Sequence, residues 1–454
     1  MAYVAYVTTL KNLRKHPNAD RLQLAECFGN TVCVNMEYVA DQVGVYFPTD
    51  GQLSMEFCEQ NGLLAVYVDG VNVSGGYMDP DKRNVKTIKL RGEKSDGLFL
   101  PLTCLTYTGV DINTIKIGDT ISVVNGHEIC TKYIPKRNTR THSGSEGNRT
   151  RKKKVAVAPL FKEHADTEQL AYNLDAFKPG DLVEITLKMH GTSQRTANLP
   201  RFDGYKRTLM DRILRREGVA QYNWGAVSGT RRVVLADFDG GYYGSNEFRE
   251  THSKFFDGKL HKGETVYYEV VGFTTTGAPI MGDADNTKLK DKEFVKQYGK
   301  TTTFSYGCAP AVGVEGEKPQ SDIYVYRMTM TNEDGDVVEY SPDFMRYRCE
   351  QMGAKTVPVL WYGLIPENPG ASYDDTITAG EWIKNVAERF YDGPDPIGKT
   401  HVREGVVVRI INRPKFAAYK HKNFSFKVLE GIIKEVADAP DMEEAQDVAD
   451  NGEE

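Results

Sequence analysis

Apolar and polar residues alternate through Val183, Glu184, Ile185, Thr186, Leu187 and Lys188, and the chain then reaches His190-Gly191. A period of two is that of a half-buried strand. It predicts a strand whose polar row ends in Lys188, just before a turn. Similar alternation marks residues 3–11, 22–27, 31–34, 43–47, 85–90 and 120–124, punctuated by Gly, Asn and Asp. Short strands so spaced predict an all-β first domain over residues 1–130, built as a small barrel. Strands also dominate residues 157–435, with helical stretches near 204–216, 290–298 and 379–391. The predicted fold class is therefore α+β. Two similar turns, Lys116-Ile-Gly-Asp119 and Lys178-Pro-Gly-Asp181, each deliver the chain into an alternating strand.

Residues 131–156 read as a linker. From Arg137 to Lys154 no residue is apolar, so the segment cannot bury a core. Residues 436–454 form an acidic tail. These two segments change the meaning of the net charge of −6. Thr131 to Lys154 holds nine Lys or Arg against the single acid Glu146, and Glu435 to Glu454 holds nine acids and no base. Without Glu435 to Glu454 the rest of the chain carries −6 + 9 = +3. A basic linker joined to a slightly basic body suits a phosphate-rich partner, although it also fits a solvated tether. No run of about eighteen apolar residues occurs, so no membrane span is expected. The N-terminus lacks a signal-like pattern and reads as a first strand, which predicts an intracellular, cytoplasmic protein. The seven cysteines are scattered and free of Cys-x-x-Cys spacing, which predicts buried thiols in a reducing compartment.

The candidate chemistry lies on the strands of the second domain. A strand-end lysine followed by Gly191 suits attack on the α-phosphate of a nucleotide. Alone, the match is better read as a snorkelling surface lysine, and only its company reverses that balance. Five other segments give Lys188 company. In Thr265-Val-Tyr-Tyr-Glu-Val-Val-Gly272, Glu269 stands opposite the apolar row, where its carboxylate can accept ribose hydroxyls. Tyr324 and Tyr326 share one face of a strand, where an aromatic can stack on a purine for about 1–3 kcal/mol. Glu404 opens a β-prone run before Gly405, and could gather Mg²⁺ together with its waters. Lys420 and Lys422 share a face; two ammonium groups there neutralise a triphosphate and favour a neutral neighbouring lysine. Arg231 and Arg232, after a Gly turn, suit a terminal phosphate on a second substrate.

The ordered set Lys188-Met-His-Gly191, Ser228–Arg232, Tyr267–Gly272, Tyr324-Val-Tyr-Arg327, Arg403-Glu-Gly405 and Lys420-His-Lys422 resembles the motifs of polynucleotide ligases and capping enzymes. His-Gly-Thr-Ser after the lysine is most similar to ATP-dependent RNA ligases. His16-Pro-Asn-Ala-Asp-Arg-Leu22 and Lys89-Leu-Arg-Gly-Glu-Lys-Ser-Asp-Gly-Leu98 resemble OB-fold tRNA-binding modules. An OB-like barrel ahead of an antiparallel-sheet nucleotidyltransferase domain resembles the Deinococcus-type RNA ligase family. His16 and Asp20 read as a structured turn between strands, not as a metal pair.

The resemblance implies a monomer that seals nicks in duplexes whose 3′-OH strand is RNA, a repair activity. It implies ATP, with AMP carried covalently on Lys188, and Mg²⁺ or Mn²⁺ at Glu404. Catalysis would fall to Lys188, Glu404, Lys420 and Lys422. Nucleotide binding would fall to these four with Leu187, Glu269, Tyr324 and Tyr326, and the 5′-phosphate to Arg231 and Arg232. Arg327 departs from the family pattern, since many ligases carry an acid there. Two other readings stand beside this one: a GTP-using capping-type guanylyltransferase, and a non-catalytic tRNA- or nucleic-acid-binding protein.

Overall fold

A computed structural model describes residues 3–69, 71–134, 157–164, 167–214, 216, 218–235, 238, 246–311, 318–372 and 377–435. The basic linker beyond residue 134 and the acidic tail lie outside these residues. The chain divides into two compact units, one of Met1–Lys136 with Lys427–Ala437 and one of Arg137–Phe426 with Asp438–Glu454.

The first unit is β-rich and antiparallel. A four-stranded sheet runs in the order Leu98–Pro101, Val43–Phe47, Ala5–Thr9 and Thr120–Ile121. A three-stranded sheet is formed by Lys11–Lys15, Leu22–Cys27 and Asn30–Asn35. Val7, Val45, Phe47, Leu53, Phe57, Leu105 and Ile129 build its core. Its strands fall into separate sheets, and no closed barrel forms among the described residues. His16 is buried inside a turn: its Nδ1 accepts from Asn18 N at 3.0 Å and its Nε2 lies 3.1 Å from Leu90 O.

The second unit is a mixed α/β structure with antiparallel sheets. In chain order its main strands are β1 (Glu168–Gln169), β2 (Leu182–Lys188), β3 (Thr192–Lys206), β4 (Val219–Gly229), β5 (Val234–Leu235) and β6 (Glu264–Gly272). Then come β7 (Ser321–Thr331), β8 (Val337–Glu339), β9 (Val359–Leu364), β10 (Gly405–Ile410) and β11 (Ala417–Lys422). The helices are α1 (Leu209–Ile213), α2 (Glu247–Phe255), α3 (Lys292–Tyr298), α4 (Pro342–Met352) and α5 (Ala379–Glu388); α6 (Phe424–Glu435) starts here, and its residues from Lys427 on belong to the first unit. One sheet has the order β1-β11-β10-β2-β9, and the other β5-β4-β3-β6-β7-β8.

Register sorts the residues of the first of these sheets. Val183, Ile185 and Leu187 of β2 stand opposite Ile410, Val408 and Val406 of β10. With Ile383, Val386 and Ala387 of α5, all of these but Leu187 make one apolar layer, and Leu187 is buried in the same row of β2. The other row of β2, namely Glu184, Thr186 and Lys188, stands opposite Arg409, Val407 and Gly405. Ladder pairs opposite one another point to the same side, so this row faces away from α5. The turn ahead of β2 is closed by Asp181, which accepts from Lys178 N at 2.8 Å; Asp119 does the same for Lys116 N, also at 2.8 Å.

Helices near 290–298 and 379–391 appear as α3 and α5. Asp291 caps the first, and a Thr378–Glu381 capping box starts the second. The stretch 204–216 differs from the sequence expectation. Only the five residues of α1 are helical there. Cross-strand pairing of Tyr205 with Ala220 and of Lys206 with Val219 holds the preceding residues in β3. Long-range pairing overrides local helical periodicity.

Buried charge joins the two sheets. Glu339 of β8 accepts from Arg327 of β7 at 2.9 and 2.8 Å, and from Arg409 of β10 at 3.2 Å. Arg327 also lies over the rings of Tyr267 and Phe416. Next to this group Arg346 pairs with the buried Glu184. All seven cysteines are free; six are buried and Cys33 is partly so. Burial pushes the thiols of Cys27, Cys58, Cys104, Cys130, Cys308 and Cys349 up to about 12.

Removing Glu339 would leave two guanidinium groups buried without their carboxylate, a loss on the order of 3–5 kcal/mol for a broken buried pair. Glu339→Ala should therefore lower the urea midpoint strongly, and Glu339→Gln less so. An unchanged midpoint would show that the sheets hold together without this junction.

Candidate active site

Three adjacent strands create the site by register. Lys188 ends β2 opposite Gly405 of β10, and Gly405 is in turn opposite Lys422 of β11. The two lysines flank a residue without a side chain. A Cβ on Gly405 would come within 2.1 Å of His421 O, and its φ of +150° also favours glycine. Glu404, immediately before it, is buried and lies between the amines. Its Oε1 is 2.7 Å from Lys188 Nζ and 3.4 Å from Lys422 Nζ. The site therefore gathers two cations around one carboxylate, an arrangement suited to a phosphate ester. Lys188 remains 23% exposed, enough for a substrate to reach its amine. Lys420 lies half-buried on the same face of β11, opposite Val407. Leu187 points to the apolar layer, and its backbone N donates to Pro358 O at 2.9 Å.

The turn after Lys188 packs against the other sheet. A Cβ on Gly191 would meet Val270 O at 2.4 Å and Glu269 Cγ at 2.8 Å. Gly191 thus lets the lysine turn approach the strand that carries Glu269. Glu269 is buried and stands opposite Ser193 of β3 and Tyr324 of β7. The two tyrosines have different settings. Tyr324 is buried, donates to Asp322 Oδ2 at 3.3 Å and has Lys355 Nζ 5.8 Å from its ring centre. Tyr326 is half-buried; its hydroxyl is 3.0 Å from Ser193 Oγ and its ring is 5.5 Å from that of His164.

Arg231 and Arg232 occupy the turn that leaves β4, closed by Thr230 N donating to Val233 O at 2.9 Å. Arg232 is exposed and Arg231 half-buried. They belong to the six-stranded sheet, whereas the Lys188 row belongs to the five-stranded one. The structure therefore brings Lys188, Glu404 and Lys422 into direct contact, sets Glu269 against the lysine turn, and keeps the arginine pair on a separate element.

A group of residues with no sequence signal supports the lysine turn. His190 packs edge-on against Phe304 at 4.5 Å and Phe426 at 4.7 Å. Its Nδ1 is 3.7 Å from Glu404 Oε2. Its backbone N donates to Tyr306 Oη at 2.7 Å. Burial, with the Glu404 and Asp395 charges nearby, pushes the Tyr306 phenol well above its ordinary range, so it accepts as a neutral hydroxyl. The Tyr306 ring lies edge-on to His401 at 4.5 Å, and burial holds that imidazole neutral by lowering its pKa. Tyr306 lies in a loop 116 residues along the chain from His190, so only the fold reveals the link.

Glu404 Oε2 is buried and accepts no hydrogen bond among the described residues. A carboxylate oxygen left open in this way fits a divalent cation. No group of three or more His, Cys, Asp or Glu among the described residues could enclose one. A Mg²⁺ held by one carboxylate, waters and substrate phosphates matches that chemistry.

Tyr306→Phe should leave the buried His190 N–H without its acceptor, a cost of about 1–3 kcal/mol. Urea unfolding should show a lower midpoint with an unchanged m-value. A wild-type midpoint would show that the turn does not rely on this bond.

No family model and no curated protein matches the chain. Its fold is similar to solved structures of an RNA ligase from Naegleria gruberi. A lysine-to-alanine variant with ATP and Mn has a TM-score of 0.52 at 15% identity, covering 94% of this chain and 97% of that one. A glutamate-to-alanine variant with ATP and Mn gives 0.54 at 16% identity, covering 93% and 98%. The same ligase with PPi gives 0.51 at 16% identity, covering 93% and 97%. At this identity the likeness is one of fold, and it extends over both units.

Proposed function

We propose that this chain is an ATP-dependent RNA ligase that works through a lysyl-AMP intermediate. The observation that carries the reading is the row Lys188–Gly405–Lys422 with Glu404 between the two amines. The fold likeness supports it, because the similar Naegleria gruberi ligase was solved with ATP and Mn and with PPi.

In the proposed first step Lys188 Nζ attacks the α-phosphate of ATP. A nitrogen–phosphorus bond forms, the bond to the leaving oxygen breaks, and pyrophosphate departs. Lys188 must first lose a proton, and Glu404 Oε1 at 2.7 Å is the carboxylate oxygen within reach. Lys422, with Lys420 beside it on β11, offsets negative charge on the phosphates. Glu269 takes the ribose hydroxyls, and Tyr324 or Tyr326 the base; Leu187, expected at the nucleotide, instead faces the apolar layer. In the second step AMP passes to a 5′-phosphate that Arg231 and Arg232 hold. In the third, a 3′-OH displaces AMP and a phosphodiester forms. All three are in-line displacements at phosphorus, so positioning and charge carry the catalysis. Mg²⁺ or Mn²⁺ at Glu404 would supply further positive charge to the phosphates.

The finer reading is a Deinococcus-type nick-sealing enzyme, in which the first unit grips the duplex as an OB-like module and the 3′-OH strand is RNA. That specificity would rest on the 2′-OH and on A-form shape. The chain would act as a monomer. No described helix is long and apolar enough to cross a membrane.

Incubation with α-labelled ATP should transfer label to the wild-type protein, stably in a denaturing gel. Lys188→Ala should abolish the transfer, and so should Lys188→Arg, which stays protonated and cannot attack. Label retained by Lys188→Ala would remove Lys188 from the role. Label from GTP alone would favour a capping-type guanylyltransferase, and none from either nucleotide a binding protein.

The two arginines should act at a later step. Arg231→Ala with Arg232→Ala should keep near-wild-type labelling of Lys188 and reduce sealing of a 5′-phosphate nick at least tenfold. An equal loss of both steps would reject this division of labour.

A further inference from the structure

β3 begins one residue after Gly191, at the lysine turn, and runs for fifteen residues to Lys206. Over Thr192–Ala197 it is paired with β6, and from Arg195 onward with β4. Beyond Ala197, β4 is its only strand partner among the described residues. This outer part of β3 and its partner β4 make a two-stranded ribbon, which at about 3.3 Å per residue extends on the order of 30 Å. α1 closes its end, started by a Thr208–Asp211 capping box.

The end of the ribbon is unusual for a folded surface. Leu209, Met210, Ile213, Leu214 and Val219 are each between 50% and 74% exposed. Five exposed apolar residues within eleven positions mark an interaction site. It is also basic. Residues 201–216 contain six Lys or Arg and two acids, in a chain whose net charge is −6. Lys206, Arg207 and Arg216 are exposed beside the apolar residues. Along the ribbon Phe202 lies edge-on to Tyr205 at 5.1 Å and to Tyr222 at 6.1 Å, giving it an aromatic side.

We propose that this ribbon is an arm that docks double-stranded nucleic acid containing RNA. Lys206, Arg207 and Arg216 would take backbone phosphates, and Leu209, Met210 and Ile213 would rest on the wide, shallow minor groove of an A-form duplex. Two observations favour this occupant. The charge of the tip is complementary to phosphate. The arm is also the direct continuation of the strand that starts at the lysine turn, so it extends outward from the site where the polymer would react. The identity of the partner rests on the ligase reading, but the arm itself is tested by binding.

The test uses the full-length chain in two variants. One carries Leu209→Ser, Met210→Ser and Ile213→Ser; the other carries Lys206→Ala and Arg216→Ala. All five positions are exposed, and an unchanged circular dichroism spectrum and thermal midpoint would establish that both variants fold. Affinity for a nicked RNA-containing duplex is read by fluorescence anisotropy over a salt series. The apolar variant should bind at least tenfold more weakly. The charge variant should also bind more weakly, and its slope of log affinity against log salt should flatten by roughly 0.9 for each phosphate no longer neutralised. Labelling of Lys188 from ATP should stay within twofold of wild type in both. Wild-type duplex affinity in both variants would overturn the proposal. So would a loss, in the same variants, of binding to phosphatidylserine vesicles or of a dimer in sedimentation velocity, with duplex binding intact. If wild type takes label from neither nucleotide but the variants still lose duplex binding, the ligase reading fails and the arm stands.

Discussion

The candidate chemistry depends on strand register. In β2, β10 and β11 every second residue is committed to the apolar layer under α5, and the residues between are committed to the opposite side. A slip of one residue would send Lys188 into that layer and bring Leu187 out. Burial of Val183, Ile185, Val406, Val408 and Ile410 resists the slip, because each fully buried aliphatic side chain contributes about 1.5–3 kcal/mol. The hydrophobic core on one side of the sheet thus fixes the position of a charged site on the other. Gly405 is where core and site meet: its bare backbone lets two lysine-bearing strands lie on either side of one carboxylate.

Much of this was legible in the sequence because it is local. The alternation from Val183 to Lys188 indicates both the strand and the direction of its lysine. The β-prone run after Glu404 and the Lys420–Lys422 spacing do the same for β10 and β11. What escaped was set by distant partners. Tyr306, His401 and Phe304 carry no motif, and their link to His190 exists only once the loops have folded together. Residues 204–216 have helical periodicity, yet pairing with residues 219 and 220 keeps the first part extended. The arrangement of the first unit was also hard to read, since short strands announce antiparallel sheets but not how those sheets close.

Arg327 illustrates how a departure from a family pattern can be read physically. A basic residue in place of an acid looks disruptive on a strand that carries Tyr324 and Tyr326. In the fold its charge is met by Glu339, its Nη1 lies 2.9 Å from His164 Nδ1, and its plane lies over Tyr267 and Phe416. His164 in turn lies against Tyr326. The arginine braces the wall in which Tyr326 stands and ties it, through Glu339, to Arg409 on the other sheet.

The free cysteines have a practical meaning. A thiol pushed up to about 12 holds almost no thiolate at neutral pH, and the thiolate is the species that alkylating reagents capture. Burial shields the same sulfurs sterically, and the thiol of the partly buried Cys33 is raised as well. A cysteine introduced on an exposed strand or helix should therefore react far ahead of the native seven. Fluorophores or spin labels can then be attached in pairs to the natural sequence background, and distances within the second unit followed through each stage of turnover.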